Sequence, residues 1–315
     1  MYPGLRVWLA VLIIGLSGCG GSSPSGSPSP TPSPSPTPTP QPGKSSVDHV
    51  VLLILENHSP SEVIGNPVMP YFNSLATQFG LAQNYFANTH PSIGNYFMLT
   101  TGQIVTNDNA FAGTVGDDNI VRALVSAGKT WKGYFEGLPA PGYTGDNAYP
   151  YEKHHNPLIF LSDVLGSSGQ LANIVPFSQF VSDLQSGSLP NFAIVVPSEE
   201  HNAHDCPTGG TACPDPDKLA AADSWLSANL DPVIRSDAFA KSIIIVTWDE
   251  GNPTDLTNGG GPVATLVIGG GVKRGFRSTT FYQHQSTLRF ILDLLKVSDQ
   301  PGASNGAPTM NEFLQ

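Results

Sequence analysis

Charge is scarce in this 315-residue chain: only 12% of residues are Asp, Glu, Lys or Arg, about half the usual share of roughly 25%. What charge there is leans acidic, 25 Asp+Glu against 14 Lys+Arg, for a formal net charge of −11. A nucleic-acid backbone or an anionic membrane surface would be repelled by such a balance. Cysteine is scarcer still, with three residues, which excludes a zinc site built from two cysteine pairs. Beyond residue 20 no apolar run reaches the roughly 18–20 residues that a membrane span needs. Proline and glycine, by contrast, are plentiful, at 29 and 33 residues, and the proline is unevenly placed.

The first forty-five residues read as address and tether. Arg6 precedes an apolar run of ten, Val7–Leu16, which suits the core of a signal peptide and is too short to span as a helix. The run ends in Leu16-Ser17-Gly18-Cys19, which resembles the bacterial lipobox. That resemblance implies a lipoprotein signal peptide over 1–18 and a lipidated Cys19. An ordinary cleavable signal with an incidental cysteine is the alternative. From Ser22 to Gly43 the chain is almost wholly Ser, Thr, Pro and Gly, with nine prolines between Pro24 and Pro42. Such a stretch cannot bury enough apolar surface to offset its ordering entropy, and alternating proline favours extended polyproline II. Residues 19–45 are therefore expected to act as a semi-rigid linker. They would hold a domain, residues 46–315, off a membrane that the protein touches only through its anchor. The expected location is exported, periplasmic or cell-surface.

The remaining cysteines, Cys206 and Cys213, bound the short loop CPTGGTAC. In an exported protein they are expected to form a disulfide; a two-cysteine metal site is the other option.

Five runs read as buried parallel strands: Val50–Leu55, Thr130–Phe135, Phe192–Val196, Ile243–Thr247 and Thr265–Ile268. They are rich in β-branched and aromatic residues and do not alternate strictly with polar ones. Helical spacing of apolar residues marks Asp118–Ala127, Asp217–Leu230 and His284–Lys296. Strands alternating with helices predict an α/β fold, a three-layer α/β/α sandwich around a mostly parallel sheet. No internal repeat is visible.

In open α/β sheets ligands sit beyond the carboxyl ends of the strands. Here those ends carry Glu56-Asn57-His58, Glu136, Glu199-Glu200-His201 with His204-Asp205 close behind, and Asp249-Glu250. In a chain so poor in charge this crowding is the main functional signal. The side-chain oxygens of Glu56, Asn57, Asp249 and Glu250 suit a hard divalent cation; helix capping or strand-end solvation would also account for them. In Thr89-His90-Pro91-Ser92-Ile93-Gly94-Asn95-Tyr96, Pro91 suits the opening of a helix. Ser92 would then lie at a helix N-terminus that favours negative charge, or be a plain N-cap. The adjacent His154-His155 could bind a phosphoryl group, supply a general acid or simply be surface residues; His201 and His204 come with Asp205, and His284 precedes the last long helix. Their spacing matches no zinc motif.

The segments VVLLILENHS, THPSIGNYFMLTTG, YEKHHNP, HNAHDC, IIIVTWDEG and YQHQSTLRFILDLL occur in that order. Over about residues 48–297 the chain so resembles the phosphoesterase family of bacterial acid phosphatases and phospholipases C, within the alkaline phosphatase-like superfamily. The resemblance implies an alkaline phosphatase-like fold and a metal-dependent phosphoric ester hydrolase working through a phosphoserine intermediate. Ser92 is then the nucleophile and, with Glu56, Asn57, Asp249 and Glu250, a metal ligand; the family often carries a second aspartate where this chain has Glu250. His154, His155 and His204 become phosphate binders, one of them protonating the leaving group, and Asn95 touches a phosphate oxygen. His284 lies in a family-typical segment and would at least cap its helix.

An acid phosphatase-type phosphomonoesterase is the first expectation, with a small phosphate ester as substrate. A phospholipase C-type phosphodiesterase acting at a phospholipid head group is the alternative; a non-catalytic surface-binding lipoprotein is another. The loops Tyr143–Tyr151 and Asn252–Gly261 would choose the substrate. A sulfatase would need Cys or Ser followed by Pro and Arg, which Ser92-Ile93-Gly94-Asn95 lacks. Oxygen ligands favour Mg²⁺, Ca²⁺ or Mn²⁺, and Zn²⁺ also accepts carboxylates. If two or three imidazoles must be protonated to hold phosphate, activity favours mildly acidic pH.

Overall fold

A computed structural model describes residues 47–315. The signal peptide, Cys19 and the linker of residues 19–45 lie outside the described residues. The strands, in chain order, are β1 (His49–Leu55), β2 (Gly80–Ala82), β3 (Tyr85–Phe86), β4 (Trp131–Phe135), β5 (Ile174–Pro176), β6 (Phe192–Val196), β7 (Ser242–Trp248), β8 (Thr265–Gly269), β9 (Arg277–Ser278) and β10 (Tyr282–Gln283). Eight of them form one sheet in the order β5-β4-β6-β1-β7-β8-β2-β9; β3 and β10 pair separately.

The sheet is parallel from β5 to β7. Its two central strands, HVVLLIL and SIIIVTW, are buried almost end to end, as expected of strands covered on both faces. The helix pair Pro70–Gln78 and Asp215–Ile234 packs together, and so does the pair Ser92–Thr101 and His284–Leu294. Helices cover both sides of the mixed, mostly parallel sheet. The three expected helices form as Ile120–Ser126, Asp215–Ile234 and His284–Leu294.

One expectation fails. The run Thr265–Ile268 is a strand, but it is antiparallel to both β7 and β2. A parallel return needs a crossover, usually helical. Residues 249–264 hold no helix, so the chain re-enters the sheet from the end it left. The two-residue and three-residue strands β2, β5 and β9 carried too little pattern to be read in advance.

Register decides what these strands display. β1 and β7 pair from His49↔Ser242 to Leu55↔Trp248. Their next residues, Glu56 and Asp249, therefore emerge side by side, with the Asp249 amide donating to the Leu55 carbonyl at 2.9 Å. On the other flank β6 runs level with β1, and the Glu56 amide donates to Asn202 O at 2.9 Å. That brings the Glu199–Asp205 segment to the same edge.

Candidate active site

Asn57 directly follows Glu56 in the left-handed region, at φ 41°. Asn tolerates this conformation better than most residues. The reversal keeps two successive side chains at the sheet edge. Ser92 opens the helix Ser92–Thr101, whose ten residues are all buried. Its Oγ donates to Glu56 Oε2 at 3.2 Å, and Tyr96 OH donates to Glu56 Oε1 at 2.6 Å. Residues four apart share a helix face, so one face of this helix grips both oxygens of one carboxylate. Tyr96 was not singled out from the sequence, although its spacing from Ser92 was the available signal. The Ile93 amide is accepted by Asn109 Oδ1 at 3.2 Å; that loop residue carried no signal at all.

Among the described residues these carboxylates lack a lysine or arginine partner. Glu56, Asp249 and Glu250 are all buried, and among the described residues their ion pairs are with imidazoles alone, His155 Nε2 to Glu56 at 3.3 Å and His90 Nδ1 to Glu250 at 3.2 Å. Burial, then the charge of Asp249, pushes the Glu56 pKa well up. Asp249 is also raised, chiefly by burial, and Glu250 is pushed up to about 9 by burial and by Asp249. Glu250 Oε1 accepts from Asn57 Nδ2 at 2.7 Å, which turns Asn57 Oδ1 away. That oxygen and Asp249 Oδ2 are buried without a hydrogen-bond partner among the described residues. Orphaned buried oxygens amid clustered carboxylates fit a hard divalent cation. The structure brings Glu56, Asn57, Ser92, Asp249 and Glu250, the candidates read from the sequence, to this one place.

Beside this cluster lies a second one with a different character. Glu199 is buried and its carboxylate binds His155 Nδ1 at 2.9 Å and His204 Nδ1 at 3.1 Å; His204 Nδ1 is also 2.8 Å from Asp205 Oδ1. Burial alone would raise Glu199, but the two imidazoles, His155 first, hold it far below the usual range. The hydrogen bond to Glu199 lifts His204, against burial, to about 9. Glu199, His204 and Asp205 also bring three ligand atoms within 4.8 Å. Each is already in an ion pair, so this group fits a cation less well than the orphaned oxygens do.

Two candidates are placed differently from the rest. Asn95 spends its amide within the protein. It is fully buried, accepts from the Asn88 and Thr89 amides at 2.9 and 3.2 Å, and donates to Thr89 O at 2.8 Å and Glu250 Oε2 at 3.5 Å; it ties down the loop that delivers Ser92. His154 is no imidazolium, because burial and then the neighbouring His155, with ring centroids 4.1 Å apart, push its pKa down to about 3. His155 stacks on Tyr96 at 5.1 Å and joins the two clusters. His284 does more than cap a helix: it is buried, with Nε2 2.5 Å from Asp249 O and Nδ1 3.1 Å from Tyr85 OH.

Of the remaining groups, His90 reaches Glu250 and Asp255 O, while His201 and Glu136 pair with each other at 3.0 Å. Cys206 and Cys213 form a disulfide, with Cα atoms 5.7 Å apart. The site opens through half-exposed His204 and partly exposed Asn57.

Comparison with known proteins bears on this geometry. A model described as the phosphoesterase family matches residues 65–298. The chain is 30% identical over 269 residues to a phosphatidylinositol-3-phosphatase of Mycobacterium tuberculosis, covering 84% of this chain and 82% of that protein. It is 29% identical to a probable acid phosphatase of Kluyveromyces lactis, covering 76% of this chain. The chain spans only about half the length of the fungal acid phosphatases it matches, 56% in that case. In fold it is similar to an alkaline phosphatase superfamily protein from Vibrio parahaemolyticus, with TM-score 0.62, 15% identity, and 86% of this chain and 72% of that chain covered. It is similar also to a phosphonate monoester hydrolase of Agrobacterium radiobacter, with TM-score 0.57, 15% identity, and 85% and 77% covered.

Proposed function

The chain belongs to the phosphoesterase family, and on that premise we propose that it is a metal-dependent phosphomonoesterase of acid phosphatase type. The observation that carries the reading is Ser92 at a helix N-terminus, its Oγ 3.2 Å from a carboxylate in a buried cluster with no lysine or arginine partner among the described residues. A divalent cation held by Glu56, Asn57, Ser92, Asp249 and Glu250 supplies charge neutralisation and a lowered pKa for a bound hydroxyl.

The chain's own residues do the rest. Ser92 Oγ passes its proton towards Glu56 and bonds to phosphorus as the ester oxygen departs in line. His204, positively charged up to about pH 9, donates the proton that the departing alcohol needs. His155, set between Glu56 and Glu199, gives up its 3.3 Å contact with Glu56 and turns that Nε2 hydrogen to an equatorial phosphoryl oxygen as charge builds there, while Nδ1 stays on Glu199. A phosphate bound at the helix end replaces the bond from the Ile93 amide to Asn109. Water then cleaves the phosphoserine, returning the proton to Ser92 and releasing inorganic phosphate.

Replacing the nucleophile, Ser92→Ala, is expected to lower turnover by about 10⁴-fold or more while leaving the circular dichroism spectrum intact. Wild-type rates in that variant would refute the assignment. We further propose that Cys19 anchors the protein through lipid after removal of residues 1–18, with residues 19–45 as spacer. A Cys19→Ala protein that still fractionates with membranes would count against this.

A further inference from the structure

Beside Asn57 and His204 the surface opens into a cleft of about 260 Å³, below the usual range of roughly 300–1,000 Å³ for small-molecule sites. We propose that this cleft is the leaving-group subsite and that it selects a compact, hydroxyl-rich, uncharged alcohol, a polyol. The proposal rests on the phosphomonoesterase reading and names its substrate class.

The first support is an unsatisfied atom. His58 is 6% exposed and lines the cleft. Its Nε2 lies 3.3 Å from the Ala203 carbonyl; a carbonyl only accepts, so Nε2 carries the hydrogen. Nδ1 is buried without a hydrogen-bond partner among the described residues, the nearest carboxylate, Glu62, being 3.7 Å away. Such an atom costs stability unless a ligand meets it. A hydroxyl meets it in either protonation state, donating to a lone pair or accepting from an N–H.

Charge supplies the second support. Glu62 and Asp215 line the cleft together with Lys218 and the charged His204, so the walls carry no net charge, which suits an uncharged alcohol. Lys218 pairs with Asp215 from a largely buried stem, its Nζ 3.4 Å from Asp215 Oδ1, and keeps further hydrogens for an oxygen acceptor. Acceptors and a donor ring one small space, the pattern that recognises vicinal hydroxyls. The third support is what the walls lack. Their apolar contributions come from Ala203 and Pro253, no surface for the acyl chains of a diacylglycerol leaving group.

The test uses purified full-length protein with a divalent cation, measuring kcat/KM for sorbitol 6-phosphate and for 4-nitrophenyl phosphate, whose alcohol has no second hydroxyl. In His58→Phe, which keeps a ring against Trp248, the sorbitol-to-nitrophenyl ratio is expected to fall about tenfold, and in Lys218→Met about fivefold, in keeping with the loss of one or two hydrogen bonds. If His58→Phe does not fold, Lys218→Met decides alone. An unchanged ratio in the folded variants overturns the subsite. So does wild-type turnover of phosphatidylcholine vesicles at a rate matching the polyol ester. Failure of the wild type on every phosphate ester instead removes the phosphomonoesterase reading beneath it.

Discussion

Two groups of charged side chains share one edge of the sheet and are built to opposite plans. Around Glu56, Asp249 and Glu250, burial and mutual repulsion push the carboxyl pKa values up, and two oxygens have no hydrogen-bond partner among the described residues. Around Glu199, every charge is met: His155 and His204 flank it and Asp205 closes the far side. On the proposed reading a divalent cation completes the first group. The second is complete in the polypeptide alone. Buried like charges cost free energy unless compensated, which is what the proposed cation would supply to the unbalanced group, while the balanced group holds two imidazoles in place. His155 belongs to both and couples them.

The contrast can be broken most sharply at the unbalanced group. Asp249→Asn is expected to reduce kcat/KM by about a thousandfold, the scale seen when a preorganised charge at a reacting centre is lost. Because it removes a repelled carboxylate, the metal-free variant should melt no lower than wild type; a large drop in melting temperature would show that Asp249 is already balanced. At the balanced group, Glu199→Gln strips a partner from each imidazole. Outer-sphere changes of this kind cost about 10–100-fold, and the melting temperature should fall as well. A silent Glu199→Gln would erase the distinction drawn here.

Cation binding sharpens the comparison further. At a concentration about 100 times Kd a divalent ion should stabilise the fold by about 2.7 kcal/mol, several degrees in thermal melting. Glu56→Gln combined with Asp249→Asn should abolish that shift, whereas Asp205→Asn should leave it. A shift lost in Asp205→Asn and kept in the double variant would move the ion to the Glu199 group.

The smallest effect concerns pH. His204 has a raised pKa, so its ion pairs contribute stability fully below the ordinary histidine value of about 6.5, and that contribution is lost as pH rises through about 9. The alkaline limb of kcat/KM should fall over the same window and flatten in His204→Gln. His154 has the opposite sign. Held neutral to about 3, it costs stability as pH falls below about 6.5 towards 3, so melting temperature measured from pH 7 to 4 should decline less in His154→Gln.

The residues that gather at this edge of the sheet were largely legible in the chain, and for a local reason. Val50–Leu55 and Ile243–Thr247 are runs of β-branched and aliphatic residues too apolar to lie outside a sheet, and each stops at acidic residues. Pro91-Ser92 announces a helix start in the same way. The order of the six motifs is likewise a matter of adjacency along the chain, and so was the pairing of Cys206 with Cys213. What adjacency could not supply was partnership. Whether Asn95 faces a ligand or the Thr89 backbone, whether His154 is charged, and whether β8 runs with β7 or against it depend on residues remote in sequence.

Sequence by itself therefore settled the family, the layered α/β architecture and which side chains crowd one edge, because strand and helix periodicity and the residues that end them are written locally. Tertiary structure alone decided the register that sets Glu56 beside Asp249, the burial that fixes each group's charge state and the unmatched nitrogen of His58. Those are properties of distance and solvent exclusion, and both arise only once separate stretches of chain have packed together.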